Sequence, residues 1–158
     1  MKRLLLIVLL PAALAVSGFA VYRLQEPKTL AAEDFRAVLK ELNLKSEEEK
    51  DEEGKTTFLI TKGEDVVDLF QYGGTGDVAS SIQIRVAYEV ESKPKLEVLN
   101  AWNRDRRYTK AYLGSEGEVV LEQDLDLATG VDKAAVKKFI KDFMDAMPTF
   151  QKEIEESQ

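Results

Sequence analysis

The amino-acid sequence predicts an α+β domain, with a five-stranded antiparallel sheet that carries helices on one face. Two periodicities indicate this class. In three segments, apolar residues recur every three or four positions, which is the spacing of a buried helix face. In the segments between them, apolar and polar residues alternate, most clearly at 81–90, as in a half-buried strand. The predicted order is helix, three strands, helix, two strands, helix (α-β-β-β-α-β-β-α).

The first helix is predicted to begin near Thr29 and to bury Phe35, Val38, Leu39 and Leu42 before it ends at Asn43. The following stretch, Glu47–Glu53, contains six acidic residues among seven. We interpret it as a solvated loop held open by charge repulsion. The alternative is a site for a cation or a basic partner.

Three predicted strands follow at Thr57–Lys62, Asp65–Tyr72 and Ser81–Val90, the first two joined by a tight turn. The segment Gly73–Asp77 is rich in glycine, which invites comparison with a phosphate-binding loop. Such a loop needs a helix behind it and commonly a lysine followed by serine or threonine. Here a strand follows, so a flexible connection is favoured over an anion site.

The second helix is predicted on Leu96, Leu99 and Trp102, with its cap at Ser92 or Lys93 and Pro94 in its first turn. From Arg107 the period changes to two, and Gly114 and Gly117 bracket the turn of a hairpin.

The last helix is predicted to have Asp132 as its amino-terminal cap. Its buried stripe comprises Val136, Phe139, Ile140, Phe143, Met144 and Met147. Pro148 is predicted to kink or end this helix, although Phe150 and Ile154 have the spacing to continue its apolar face.

Composition restricts the chemistry. The chain has 158 residues, a length typical of one domain, and contains neither cysteine nor histidine. Disulfides, thiolate nucleophiles, zinc–cysteine sites and the usual serine–histidine–aspartate triad are therefore excluded. With 22 basic and 29 acidic residues, the net charge of −7 repels nucleic acid and anionic lipid. We expect a non-enzymatic protein without a cofactor or metal, and no nucleic-acid partner.

Residues 1–20 are predicted to be a signal peptide, because Lys2 and Arg3 precede an apolar run and small residues Gly18 and Ala20 suit a signal peptidase. Cleavage is expected after Ala20, with a second possible site at Ala13 and Ala15. The alternative is an uncleaved anchor, since 4–22 carries no charge and is about long enough to span a bilayer.

Both interpretations of the leader predict export. The acidic domain then lies outside the cytoplasmic membrane, either periplasmic or extracellular, or anchored by 4–22 and facing outward. In this division of the chain, 21–28 is a linker and 29–158 is the folded domain. Contact with the membrane is expected only through the uncleaved leader.

The region around the only tryptophan also resembles the signature of the YbjN domain family, whose members are described as bacterial sensory transduction regulators. The matching residues are Asn100, Trp102, Asn103, Arg104, Tyr108, Ala111, Tyr112, Gly117, Leu121, Asp124 and Leu125. The resemblance extends roughly from Leu30 to Ile154. It implies a fold similar to that of type III secretion chaperones and no catalytic motif.

Two clusters are candidate partner-binding residues. Tyr108 and Tyr112 are predicted to share one strand face and so to form an aromatic patch that grips a peptide. Arg104, Arg106 and Arg107 form the only arginine cluster and could bind an anionic partner. The alternative for the arginines is that their charge stabilises the carboxyl end of the helix.

Other signature residues are interpreted as structural. Trp102 is expected to anchor the helix to the sheet, Asn100 and Asn103 to satisfy backbone groups at the joint, and Gly117 and Leu121 to shape the hairpin. Asp124 and Asp126 share a strand face and could bind Ca²⁺ or Mg²⁺ or act as acid and base. A solvated strand end is favoured for this pair.

The leading functional hypothesis is an exported, non-enzymatic domain that binds a protein or peptide in a chaperone-like or regulatory role in the cell envelope. A homodimeric envelope protein is the second hypothesis. A hydrolase that uses a carboxylate pair ranks last, because the acidic residues are dispersed.

Overall fold

The computed structural model describes residues 30–157, so the predicted leader and linker lie outside the described residues. The elements are β1 (Leu30–Ala31), α1 (Ala32–Glu41), β2 (Lys45–Lys50), β3 (Thr56–Lys62), β4 (Asp65–Tyr72), β5 (Val78–Ala79), β6 (Ser81–Tyr88), α2 (Leu96–Asp105), β7 (Lys110–Leu113), β8 (Val119–Asp126) and α3 (Lys133–Glu155). None of the helices within 30–157 is long and apolar enough to cross a membrane.

The strands form a six-stranded antiparallel sheet in the order β2-β3-β4-β6-β8-β7, and β1 pairs with β5 in a separate two-stranded sheet. The predicted α+β class is therefore confirmed, whereas the predicted five strands and their order are wrong. The discrepancy comes mainly from the acidic segment Glu47–Glu53, which was predicted to be a loop: its first four residues belong to the edge strand β2, and only 51–53 lie in the connection to β3.

All six residues of β2 are exposed, so the strand has no apolar residue to give a period-two signal. It forms because its backbone pairs with β3 from Lys45 opposite Thr61 to Lys50 opposite Thr56. Two of its side chains are also paired: Glu48 with Arg36 at 2.7 Å and Lys50 with Asp77 at 2.6 Å. Charged residues are common on edge strands, where they discourage pairing with other chains.

The core lies between α3 and one face of the main sheet. The predicted stripe of α3 is buried throughout, and Phe150 and Ile154 extend it. Facing it are buried residues of the central strands, including Ile82, Ile84, Val86, Val119 and Leu121. Asp132 caps α3 as predicted, since its carboxylate accepts a hydrogen bond from the Ala135 amide at 2.9 Å.

Pro148 lies inside α3 and does not end it. A proline inside a helix costs about 3 kcal/mol. Burial of Phe150 and Ile154, each worth roughly 1.5–3 kcal/mol, offsets that cost. The apolar spacing beyond Pro148 was therefore the stronger signal.

The first two helices begin later than predicted. Leu30 and Ala31 pair with β5, so α1 starts at Ala32 rather than near Thr29. The amino-terminal cap of α2 is Lys95, and Pro94 is a buried residue before the helix rather than part of its first turn.

The glycine-rich connection between β4 and β5 is anchored by lysines. Lys55 is only 6% exposed, and its Nζ donates hydrogen bonds to the carbonyls of Gly76 and Val78, both at 2.9 Å. Lys50 bonds to Asp77 of the same loop. Gly74 adopts a φ of +69°, and an added Cβ would lie 2.2 Å from the Val78 carbonyl oxygen. The loop is therefore an anchored turn that requires glycine.

We expect Gly74→Ala to lower the free energy of unfolding by about 2–4 kcal/mol, because it combines a strained backbone with a clash. Gly76→Ala is the matched control, since Gly76 also has a positive φ (+58°) but has nothing within 4 Å of an added Cβ. The control should lose only about 1–2 kcal/mol. Urea unfolding measures both, and equal losses would contradict the role of the clash.

Candidate functional site

No helix within 30–157 covers the second face of the main sheet. We call this surface the open face. Because side chains alternate along each strand, the strand residues that point away from the core are fixed by the register. Its residues include Glu47, Glu49, Leu59, Val66, Asp68, Phe70, Tyr72, Gln83, Arg85, Lys110, Tyr112, Glu122 and Asp124.

Four side chains form an apolar band on the open face: Leu59, Val66, Phe70 and Tyr72. Val66 and Tyr72 are 54% and 46% exposed, and the rings of Phe70 and Tyr72 lie 6.2 Å apart. Contiguous exposed apolar surface commonly marks an interaction site. The sequence contains a signal for this band, since β4 is apolar on both of its alternating faces, but the prediction assigned those residues only to a strand.

Asp68 lies within this band, between Val66 and Phe70 on β4 and opposite Leu59 on β3. Burial raises the pKa of its carboxyl; Arg85, opposite it on β6, lowers the pKa, and Glu49 raises it. Burial has the largest effect. A carboxylate in surroundings that disfavour its charge is a candidate functional group.

Beside the band, Glu122 is the centre of a polar cluster that joins β7 to β8. Glu122 is only 4% exposed, although it belongs to the open face. Its carboxylate accepts a hydrogen bond from the Tyr112 hydroxyl at 2.5 Å and pairs with Lys110 Nζ at 2.5 Å. Burial and the bond to Glu122 raise the pKa of Tyr112 to about 12, and the same carboxylate raises the pKa of Lys110. The cluster is neutralised internally.

The two predicted tyrosines do not share a face. Tyr112 belongs to the open face, whereas Tyr108 precedes β7, which begins only at Lys110. Tyr108 has a φ of +74° and is 76% exposed, and it lines a pocket with residues of α3 on the helix side. The predicted aromatic patch is therefore wrong, because the period-two pattern does not extend back to Arg107.

Two of the three arginines have ion-pair partners, and the two partners are different. Arg104 pairs with Asp105 at 2.8 Å, and Arg106 pairs with Glu153 at 3.0 Å while its guanidinium lies 5.0 Å from the centre of the Trp102 ring. Arg107 has no ion-pair partner within 30–157. The cluster in sequence is therefore not a cluster of free positive charge.

Trp102 and Asn103 join α2 to the sheet. Trp102 is 2% exposed, packs edge-on against Phe150 at 4.8 Å between ring centres, and donates a hydrogen bond from Nε1 to Thr109 Oγ1 at 3.0 Å. The Asn103 amide both donates to and accepts from the Ala111 backbone, at 2.8 Å each. It occupies the N–H and C=O of Ala111 on the outer edge of β7, where another strand would pair.

The remaining predicted residues are less involved. Asn100 is exposed and makes no side-chain hydrogen bond with the described residues, Leu121 is fully buried, and Gly117 adopts a φ of +95° in the hairpin turn. Asp124 accepts a hydrogen bond from Gln83, and Asp126 accepts one from the Ala128 amide. Within 30–157, no group of three or more acidic residues is arranged to hold a metal ion.

Comparison with known proteins identifies a family and a fold. A sequence model of the YbjN family, described as "Putative bacterial sensory transduction regulator", matches residues 31–156. No curated protein sequence matches the chain.

Two crystal structures are similar in fold. YbjN from E. coli superposes with a TM-score of 0.58 at 15% identity, covering 75% of this chain and 86% of that one. The Yersinia pestis type III secretion chaperone SycH, in complex with a fragment of YscM2, has a TM-score of 0.53 at 13% identity, covering 75% of this chain and 97% of that one. At these identities the likeness concerns the fold alone.

We expect Tyr112→Phe to destabilise the fold by about 1–3 kcal/mol, because the buried Glu122 carboxylate loses a donor. Tyr72→Phe is the matched control, since its hydroxyl makes only a 3.4 Å contact with Gln83. The stability due to the Tyr112 hydroxyl is present below pH 10 and is lost between pH 10 and about 12, because its folded pKa is raised. Urea unfolding across this range tests both expectations, and equal effects of the two variants would contradict them.

Proposed function

The chain belongs to the YbjN family, and from this premise we propose that its domain binds a protein or peptide on the open face, in a chaperone-like or regulatory role. The observation that carries the proposal is the apolar band of Leu59, Val66, Phe70 and Tyr72, in which Val66 and Tyr72 are exposed and Leu59 and Phe70 are half-buried. The proposed role is non-enzymatic.

The chemistry of the open face suggests what the partner presents. Burial of the apolar band requires apolar side chains opposite it. Asp68 within the band would need a hydrogen-bond donor or a cation from the partner, because Arg85, opposite it on β6, pairs with Glu118 at 3.5 Å and forms no hydrogen bond with Asp68. A peptide with apolar residues around one basic residue fits this arrangement.

The fold comparison supports the same proposal. SycH, which shares the fold, is a secretion chaperone whose structure contains a fragment of another protein. Fold does not fix function. The apolar band is therefore the local observation that makes a protein partner the favoured choice for this chain.

The proposal includes export to the cell envelope. Its support is the leader, in which Lys2 and Arg3 precede an uncharged apolar run. Cell fractionation, with the mass of the mature protein, distinguishes cleavage after Ala20 from a retained anchor. A full-length protein in the soluble cytoplasmic fraction would contradict both forms of the proposal.

A homodimer is the second candidate, because a second copy could also cover the apolar band. The β2 edge does not favour self-pairing: two antiparallel copies centred on this strand would set Glu47 beside Glu48 and Lys45 beside Lys50. Light scattering on the full-length protein tests for a dimer, and a monomer at high concentration would exclude this candidate.

We expect Val66→Glu to abolish partner capture, because it places a charge in the apolar band while an exposed position leaves the fold intact. Leu96→Glu is the matched control, since Leu96 is also an exposed large apolar residue (59%) but lies on α2, away from the open face. Affinity capture from envelope extract, with identification of the co-purifying proteins, is the measurement. An unchanged captured set for Val66→Glu would contradict the proposed surface.

We expect Asp68→Asn to be more stable than the parent protein at pH 7 and to lose this advantage as the pH falls towards 3. The pKa of Asp68 is raised in the folded state, so the parent protein loses stability as the pH rises and this carboxyl ionises. Asparagine does not ionise, so the variant keeps that stability. The same substitution should weaken partner capture. Urea unfolding at several pH values tests the first expectation, and a variant less stable at pH 7 would contradict it.

A further inference from the structure

A pocket of about 280 Å³ lies on the helix side of the sheet, where the carboxyl end of α2, β8 and α3 meet. Its lining includes Trp102, Arg107, Thr109, Gln123, Asp142 and Asp145. Neighbouring residues of β8 point to opposite faces, so Gln123 faces this pocket while Glu122 faces the open face. The pocket is therefore independent of the proposed partner surface.

Gln123 provides the first sign of a ligand. It is only 8% exposed, lines the pocket, and its side chain makes no hydrogen bond with any residue within 30–157. The amide therefore keeps its hydrogen-bonding capacity open towards the pocket, where it can donate to or accept from a molecule that enters.

Two more hydrogen-bond donors border the pocket. Thr109 Oγ1 accepts a hydrogen bond from Trp102 Nε1, which leaves the threonine hydroxyl free to donate its own hydrogen. Arg107 has no ion-pair partner among the described residues. Together with the Gln123 amide, these groups suit a negatively charged oxygen, such as that of a carboxylate.

The opposite wall carries negative charge. Asp142 pairs with Lys138 at 2.5 Å, and Asp145 pairs with Lys141, each one turn apart on α3. Exposed pairs of this kind are weak, so both carboxylates remain available to a cation that enters the pocket. A phosphate dianion would be repelled by these carboxylates. A ligand that carries one negative and one positive group would match the donors on one wall and the carboxylates on the other.

We propose that this pocket binds a free amino acid, with its carboxylate at Arg107 and Gln123 and its ammonium group at Asp142 and Asp145. The volume lies just below the usual range for ligand pockets, which fits a molecule of this size.

Trp102 is the only tryptophan in the chain and serves as a built-in reporter. The full-length protein is titrated with each of the standard L-amino acids while Trp102 fluorescence is followed. Binding of the aromatic amino acids, whose own fluorescence overlaps that of Trp102, is measured by calorimetry. We expect a saturable response to at least one. Its N-acetyl and carboxamide derivatives, and a tripeptide ending in the same residue, should bind at least about tenfold more weakly.

Two variants test the assigned contacts. Arg107→Gln and Gln123→Leu should each weaken binding by about tenfold or more. Arg104→Gln is the matched control: Arg104 is at the same end of α2 but pairs with Asp105 and does not line the pocket, so its binding should be unchanged. Arg107 is exposed, so its replacement leaves the fold intact. Thermal unfolding checks that the Gln123→Leu variant is also folded.

Three results would overturn the proposal. The first is the absence of a saturable response to every amino acid. The second is an N-acetyl derivative or a tripeptide that binds as tightly as the free amino acid, which would remove the role of the ammonium group. The third is an equal loss of binding in Arg104→Gln and Arg107→Gln.

Discussion

The packing of the α3 stripe against β6 and β8 is the contact on which the rest of the structure depends. Ile140 and Phe143 on the helix, and Ile84 and Leu121 on the strands, are completely buried. Since strand side chains alternate, this contact also decides which residues face away from the core. The positions of Glu122 on the open face and of Gln123 at the pocket follow directly from it.

Features with a regular apolar period could be predicted from the sequence. For this reason the predictions of the buried stripe from Val136 to Met147 and of the half-buried strand at 81–88 were correct. The edge strand β2 could not be found in this way, because its pairing uses only the backbone and its side chains are all charged or polar. Tyr108 was misplaced because its backbone is left-handed (φ +74°), so the strand begins only after it, at Lys110. Tyrosine rarely adopts this conformation, so the sequence gives no reason to expect it there.

The candidate sites emerge from a comparison of buried polar side chains, which the sequence alone cannot provide. Lys55 is satisfied by two carbonyls of the glycine-rich loop, and Glu122 is satisfied by Tyr112 and Lys110. Gln123 is nearly as buried, at 8% exposure, but its side chain forms no hydrogen bond with the described residues. The first two stabilise the fold, and the third is the group to which we assign a ligand contact. Only the contacts distinguish these roles.

The Asn103 amide has a consequence for how this protein can assemble. By bonding to Ala111 it occupies that residue's N–H and C=O on the outer edge of β7, whereas β2 at the other edge has no neighbouring strand among the described residues. An open-ended fibre built edge to edge needs two free edges on every copy. Because Asn103 competes with an incoming strand at β7, edge-to-edge growth is disfavoured at that end of the sheet by a single side chain.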